Sequence, residues 1–152
     1  MSSTAPKRIV LKFGTGILTK ISTPEPDPVQ LRKLVEAIAL LNKAGFRVFV
    51  ASNQSGIGRG YFDFDALFAI HDKMQRALAE VGGRIEAVSY APEHPDAASE
   101  MRKPAPGMLL DLARRLNISL DGVPFVGDSG SDLDAARAAG ARPVLVLSGN
   151  GE

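Results

Sequence analysis

The chain has no cysteine. That absence excludes disulfides, thiol catalysis and thiolate metal sites. No apolar run approaches the roughly 18 residues that a membrane-spanning helix requires, and the first seven residues lack the apolar stretch of a signal peptide. They are expected to form a loose tail, and the cytoplasm is the expected compartment. Neither sign of charge dominates: 18 Lys and Arg stand against 17 Asp and Glu, for a net charge of +1. Such a balance offers no long-range attraction to nucleic acid or to an anionic membrane, so neither is expected as a partner. The most consequential absence is local, since no Asp or Glu precedes Glu25.

What is present is an ordinary globular chain of 152 residues, 45% apolar and 23% charged. That size suits one domain, 1–152, built around one sizeable core. Runs rich in β-branched residues alternate with helical periodicity. Strands are expected at 8–13, 47–51, 84–90, 123–126 and 143–147, with helices at 29–44, 64–81, 107–116 and 131–139. Leu31, Leu34, Val35, Ile38 and Leu41 form one helical stripe, and Leu67, Ile70, Met74 and Leu78 form another. Pro28 suits a first helical turn, and Gly45 a helix end. Strand–helix alternation of this kind implies right-handed crossovers and a parallel sheet covered on both faces, a three-layer Rossmann-like sandwich. Ligands in such sheets bind beyond the carboxyl ends of the strands. The loops after strands one, two and four meet there, and Lys103 arrives from the loop after strand three.

Three motifs fall in order along 46–149. They are Ser52-Asn53-Gln54-Ser55-Gly56-Ile57-Gly58-Arg59-Gly60, Arg102-Lys103-Pro104-Ala105-Pro106-Gly107-Met108 and Val126-Gly127-Asp128-Ser129-Gly130-Ser131-Asp132. This part of the chain resembles the haloacid dehalogenase superfamily, in particular its heptose-bisphosphate and histidinol-phosphate phosphatase branch. The resemblance implies a five-stranded parallel sheet in the order 5-4-1-2-3. It implies Ser52 and Asn53 as phosphate donors, Arg59 near the leaving group, Lys103 as the charge clamp and Asp128 as a Mg²⁺ ligand, with Asp132 in support. It also places the nucleophilic carboxylate at the end of strand one and the general acid two residues later. Here those places hold Lys12 and Gly14. The zinc-loop positions of that branch correspond to Ala91, Glu93, Ser99 and Met101, so no zinc is expected, and His94 alone cannot hold one.

The first 45 residues carry a different likeness. Arg8-Ile9-Val10-Leu11-Lys12-Phe13-Gly14-Thr15-Gly16-Ile17-Leu18-Thr19 resembles the opening strand and glycine loop of the amino acid kinase family, especially glutamate 5-kinase. That resemblance implies a phosphate cradle from Lys12, Gly14, Thr15 and Gly16. The two resemblances together predict a chimera, with a kinase-like strand–loop–helix at 8–45 joined to a phosphatase-like remainder at 46–152. An engineered origin and a natural degenerate paralogue both fit.

The functional expectation is a phosphatase scaffold without efficient catalysis. It would bind phosphate or a small phosphorylated molecule weakly through Lys12, Gly14, Thr15, Gly16, Ser52, Asn53 and Lys103. A second reading is a Mg²⁺-dependent sugar-phosphate phosphatase with residual activity. Kinase-like transfer through Lys12 ranks last, because no nucleotide-binding segment is visible. Lys12 has two readings, as a phosphate clamp or as a partner of Asp128 with its ammonium where Mg²⁺ would sit. Asp132 and Asp134 suit the N-terminal turn of a helix. An open sheet edge would favour a homodimer.

Overall fold

A computed structural model describes residues 7–12, 28–53, 64–91 and 105–146. The chain runs β1 (Lys7–Leu11), α1 (Pro28–Lys43), β2 (Phe46–Asn53), α2 (Phe64–Glu80), β3 (Ala87–Ala91), α3 (Gly107–Leu116), β4 (Pro124–Gly127), α4 (Gly130–Ala139) and β5 (Arg142–Leu145). The strands form one sheet in the order β3-β2-β1-β4-β5, and every pairing is parallel. Read from the other edge, this is the order expected from the sequence.

Alternation along the strands distributes side chains to two faces. Ile9, Val48 and Val50 point to one face, where they pack with Leu31, Val35 and Ile38 of α1 and Ile70, Met74 and Leu78 of α2. Val10, Phe49 and Ala51 point to the other, against Met108, Leu109 and Leu112 of α3 and Ala135 and Ala136 of α4. Phe125 of β4 belongs to this second cluster. Both helical stripes read from the sequence therefore face the sheet, with Leu34 and Leu41 half-buried at the margin.

The helix ends are set by local chemistry. Gly45 follows α1 at φ +95°, a region that costs a side chain energy but not glycine. Asn42 ties this corner together: its Nδ2 donates to the Phe46 carbonyl at 3.1 Å, and its Oδ1 accepts from the Arg84 amide at 2.7 Å. Asn117 closes α3 in the left-handed region, its N–H directed at the carbonyls of Ala113 and Arg114.

Beside β3, Arg47 donates to both oxygens of Glu86, at 3.2 and 3.0 Å. These bonds hold the Glu86 carboxyl below the ordinary glutamate range and raise the Arg47 guanidinium.

His71 sits half-buried on α2, its ring edge-on to Tyr90 with centroids 6.3 Å apart. Burial pushes its pKa below the ordinary value of 6.5. Its folded pKa thus lies under its unfolded one, so its contribution to stability is complete above about pH 6.5 and is lost as pH falls toward the folded value. Thermal unfolding followed between pH 7.5 and 5, values spanning about one unit or more either side of the free histidine pKa, should show this loss. His71→Gln should flatten that part of the profile, and an unchanged slope in the variant would refute the assignment.

Candidate active site at the carboxyl edge of the sheet

The sheet order puts β1 between β2 and β4, so the carboxyl ends of these three strands lie side by side. Leu11 is level with Val50 on one side and with Val126 on the other. The next residue, Lys12, still donates its amide to the Val126 carbonyl at 3.0 Å. Its backbone is therefore held at the end of the strand, and its side chain leaves toward the loop that follows β4.

There it meets two carboxylates. Lys12 Nζ is 2.6 Å from Asp128 Oδ1 and 3.6 Å from Asp132 Oδ2. The Lys12 and Asp128 side chains are 24% and 22% exposed, whereas Asp132 is fully buried. Water screens such a cluster far less than it screens a surface pair. Of the two readings of Lys12, the pairing with Asp128 is the one observed.

Asp132 is held by a capping box. Ser129 is the N-cap of α4, and its side chain accepts from the Asp132 amide. In return Asp132 Oδ2 accepts from the Ser129 amide at 3.2 Å, the Ser129 hydroxyl at 2.9 Å and the Asp128 amide at 3.1 Å. Asp132 is thus the N-terminal helix acid that the sequence suggested, and it also shapes the loop carrying Asp128. Asp134, by contrast, is exposed and 3.7 Å from Arg137.

Gly127 makes this packing feasible. A Cβ there would fall 2.6 Å from the Asp132 carboxyl carbon, and the Asp132 Cβ and Oδ2 would also be too close. The sequence reading missed this role. The signal was there, since a glycine between a strand and an acidic turn often marks a close approach.

Ser52 and Asn53 end β2, level with Tyr90 and Ala91 of β3. Their backbone thus reaches the same edge as Lys12 and Asp128, while their side chains lie outside the described set. Gly14, Thr15, Gly16, Arg59, Lys103 and the zinc-loop positions Glu93, Ser99 and Met101 also fall outside the described residues.

Magnesium requires near-octahedral oxygen ligation at about 2.0–2.1 Å. Among the described residues no group of three or more His, Asp or Glu is arranged to hold a metal. Asp128 Oδ1 has an ammonium 2.6 Å away, and Asp132 Oδ2 already accepts three hydrogen bonds. With Lys12 in this position the described residues do not fit a magnesium ion.

Residues 100–152 match the model of the HAD-hydrolase-like family. The chain is also 53% identical over 127 residues to the D-glycero-beta-D-manno-heptose-1,7-bisphosphate 7-phosphatase of Bordetella bronchiseptica, spanning 83% of this chain and 71% of the relative. The chain belongs to the HAD-like phosphatase family. Within it, the phosphatase of the same name from Pseudomonas putida is 52% identical over 118 residues, 78% of this chain and 67% of the relative. The crystal structure of the B. bronchiseptica D,D-heptose 1,7-bisphosphate phosphatase, complexed with magnesium and phosphate, superposes with a TM-score of 0.81. It is 45% identical and covers 95% of this chain and 83% of that one. The Burkholderia thailandensis counterpart gives a TM-score of 0.65 at 43% identity, covering 95% and 81%.

These relatives correct two expectations. The first is the chimera, engineered or degenerate, with an amino-acid-kinase-like start. A match covering 95% of the chain leaves too little over to exclude the first 45 residues. Physically, β1 pairs in register along all five of its residues with β2 and at its end with β4, the place of a native central strand. The second is the catalytically inactive scaffold. Relatives at 52–53% identity are named phosphatases, which overturns that reading in favour of the phosphatase held second.

Gly127→Ala should be destabilising by about 1–3 kcal/mol, the usual range for forcing atoms into a packed site. Urea unfolding measures it, and a variant as stable as the wild type would show that Asp132 is free to move aside.

Proposed function

We propose that this chain is a phosphoric monoester hydrolase acting on a sugar phosphate, with a heptose bisphosphate as the substrate class. The observation that carries this reading is the 53% identity to a heptose-1,7-bisphosphate 7-phosphatase across 83% of the chain. The arrangement of β1, β2 and β4 agrees with it, since their carboxyl ends bring a cation, a strand-end Ser-Asn pair and a carboxylate to one edge.

In this reading the phosphoryl oxygens meet the Lys12 ammonium, and Ser52, Asn53, Lys103 and the Gly14, Thr15 and Gly16 amides are assigned as further donors. Spread negative charge on a transferring phosphoryl group is stabilised by such fixed positive groups. We assign Arg59 to the sugar side of the substrate. Asp128 is the described carboxylate beside Lys12, and we assign it the proton of the attacking water. Water oxygen bonds to phosphorus, the ester P–O bond breaks, and the proton passes by way of Asp128 to the departing alkoxide. Inorganic phosphate and the free sugar hydroxyl are the products.

The test is inorganic phosphate release from a heptose 1,7-bisphosphate, with an aryl phosphate as the comparison. The heptose bisphosphate should be turned over faster. Asp128→Asn should lower the rate by about 100-fold or more, the scale of a lost general acid–base group. Release no greater than the buffer blank, or a rate indifferent to Asp128→Asn, would overturn the proposal.

A further inference from the structure

We propose that Lys12 is a tethered cation standing in the place of a divalent metal at Asp128, so that this chain binds a phosphoryl group without Mg²⁺. The inference rests on the phosphate-ester reading above and departs from what a phosphatase bound to magnesium would suggest.

Three observations carry it. The first is position. The Lys12 amide is fixed to the Val126 carbonyl at 3.0 Å, which anchors the side chain at the end of the central strand. From there Nζ reaches Asp128 Oδ1 at 2.6 Å, a charge-assisted contact shorter than an ordinary N–H···O bond. A metal bound to that oxygen would share the space with a like charge.

The second is the state of the carboxylates. Asp132 is fully buried, and such a group needs a cation and donors to remain ionised. Its Oδ2 accepts from two amides and a hydroxyl and lies 3.6 Å from Nζ. Lys12 therefore serves both acids at once, lying 2.6 Å from Asp128 Oδ1 and 3.6 Å from Asp132 Oδ2.

The third is the donor count. An ammonium has three N–H donors. Asp128 takes one and Asp132 lies toward another. Among the described residues no other group engages Nζ, and its remaining donor is assigned to an anionic oxygen approaching the carboxyl edge. At 24% exposure the ammonium remains accessible from solvent.

Calorimetry of the full chain tests this with inorganic phosphate and with Mg²⁺ as separate titrants. Phosphate should bind in the presence of EDTA, and millimolar Mg²⁺ should neither bind on its own nor tighten phosphate binding. Lys12→Met should weaken phosphate binding in EDTA by about tenfold or more, as expected for loss of a charged donor. Lys12→Arg keeps the charge and should retain binding to within about threefold, which separates loss of the cation from loss of the fold. Thermal melts report whether each variant folds. If Lys12→Met does not fold, the wild-type titrations and Lys12→Arg decide the matter. Mg²⁺ binding to the wild type, phosphate binding that requires Mg²⁺, or no phosphate binding under either condition would each overturn the inference. Heptose bisphosphate hydrolysis that depends on Mg²⁺ would overturn it while leaving the phosphatase reading intact. Metal-free phosphate binding without hydrolysis of any ester would do the reverse.

Discussion

A carboxylate with no exposed surface imposes conditions on everything around it, and Asp132 is such a group. Its charge has to be met by donors in fixed positions, because water cannot supply them. The structure meets this demand with the amides of Asp128 and Ser129, the Ser129 hydroxyl and the Lys12 ammonium. Each of those groups is placed in turn by a larger element. Gly127 ends β4 without a side chain, which lets Asp132 come close. Ser129 starts α4 as its cap. Lys12 arrives from β1, which is central because β2 and β4 flank it. The position of Asp128, the acid most open to a ligand, follows from this set of contacts.

The same dependence explains why the two faces of the sheet look different. The α1–α2 face is assembled from long aliphatic side chains, with Ile38, Met74 and Leu78 nearly or fully buried. On the α4 side the contacts include Ala135 and Ala136. Small residues let α4 lie close to β4, and a close helix brings its first turn, with Asp132, up to Gly127. The buried polar cluster and the small-residue helix are thus one feature seen at two scales. A bulkier α4 would lift the capping box away from the strand end and leave Lys12 without its second carboxylate.

Much of this was legible in the residues. The order and type of the nine described elements followed from alternating periodicities, and the helix expected at 107–116 is α3 at both ends. β3 was expected at 84–90, but the strand is Ala87–Ala91. Residues 84–86 are otherwise engaged, with the Arg84 amide on Asn42, Ile85 in the core and Glu86 paired with Arg47. These are long-range contacts that a local pattern does not contain. The kinase-like opening misled for a related reason. A strand, a glycine loop and a helix satisfy the start of many parallel α/β folds, and the resemblance rested on a dozen residues. What decides the matter is the likeness to a heptose bisphosphate phosphatase, which covers 95% of the chain and so includes β1. The Lys12–Asp128 pair was foreseen as one of two options, since an isolated acid near a strand end needs a cation. Ser129 as a cap needed the three-dimensional arrangement to become visible, whereas Gly127 between a strand and an acidic turn was a signal left unread.

The kinship with heptose phosphatases and the lysine at the end of β1 are compatible once charge is considered. A carboxylate and a divalent cation side by side carry the same net charge as one ammonium. Replacing the first pair by the second leaves the field at Asp128 and Asp132 close to balanced, and the surrounding packing has no reason to change. A TM-score of 0.81 to a relative complexed with magnesium and phosphate is compatible with such an exchange. What does change is the chemistry on offer. A metal accepts several oxygens in a fixed shell and gains its affinity from them. An ammonium donates three hydrogen bonds in directions set by a flexible stem. The first organises water and phosphate together, whereas the second chiefly neutralises. A site built on Lys12 would then depend more on the anionic substrate itself, and on the donors at the end of β2, to orient the phosphoryl group for attack.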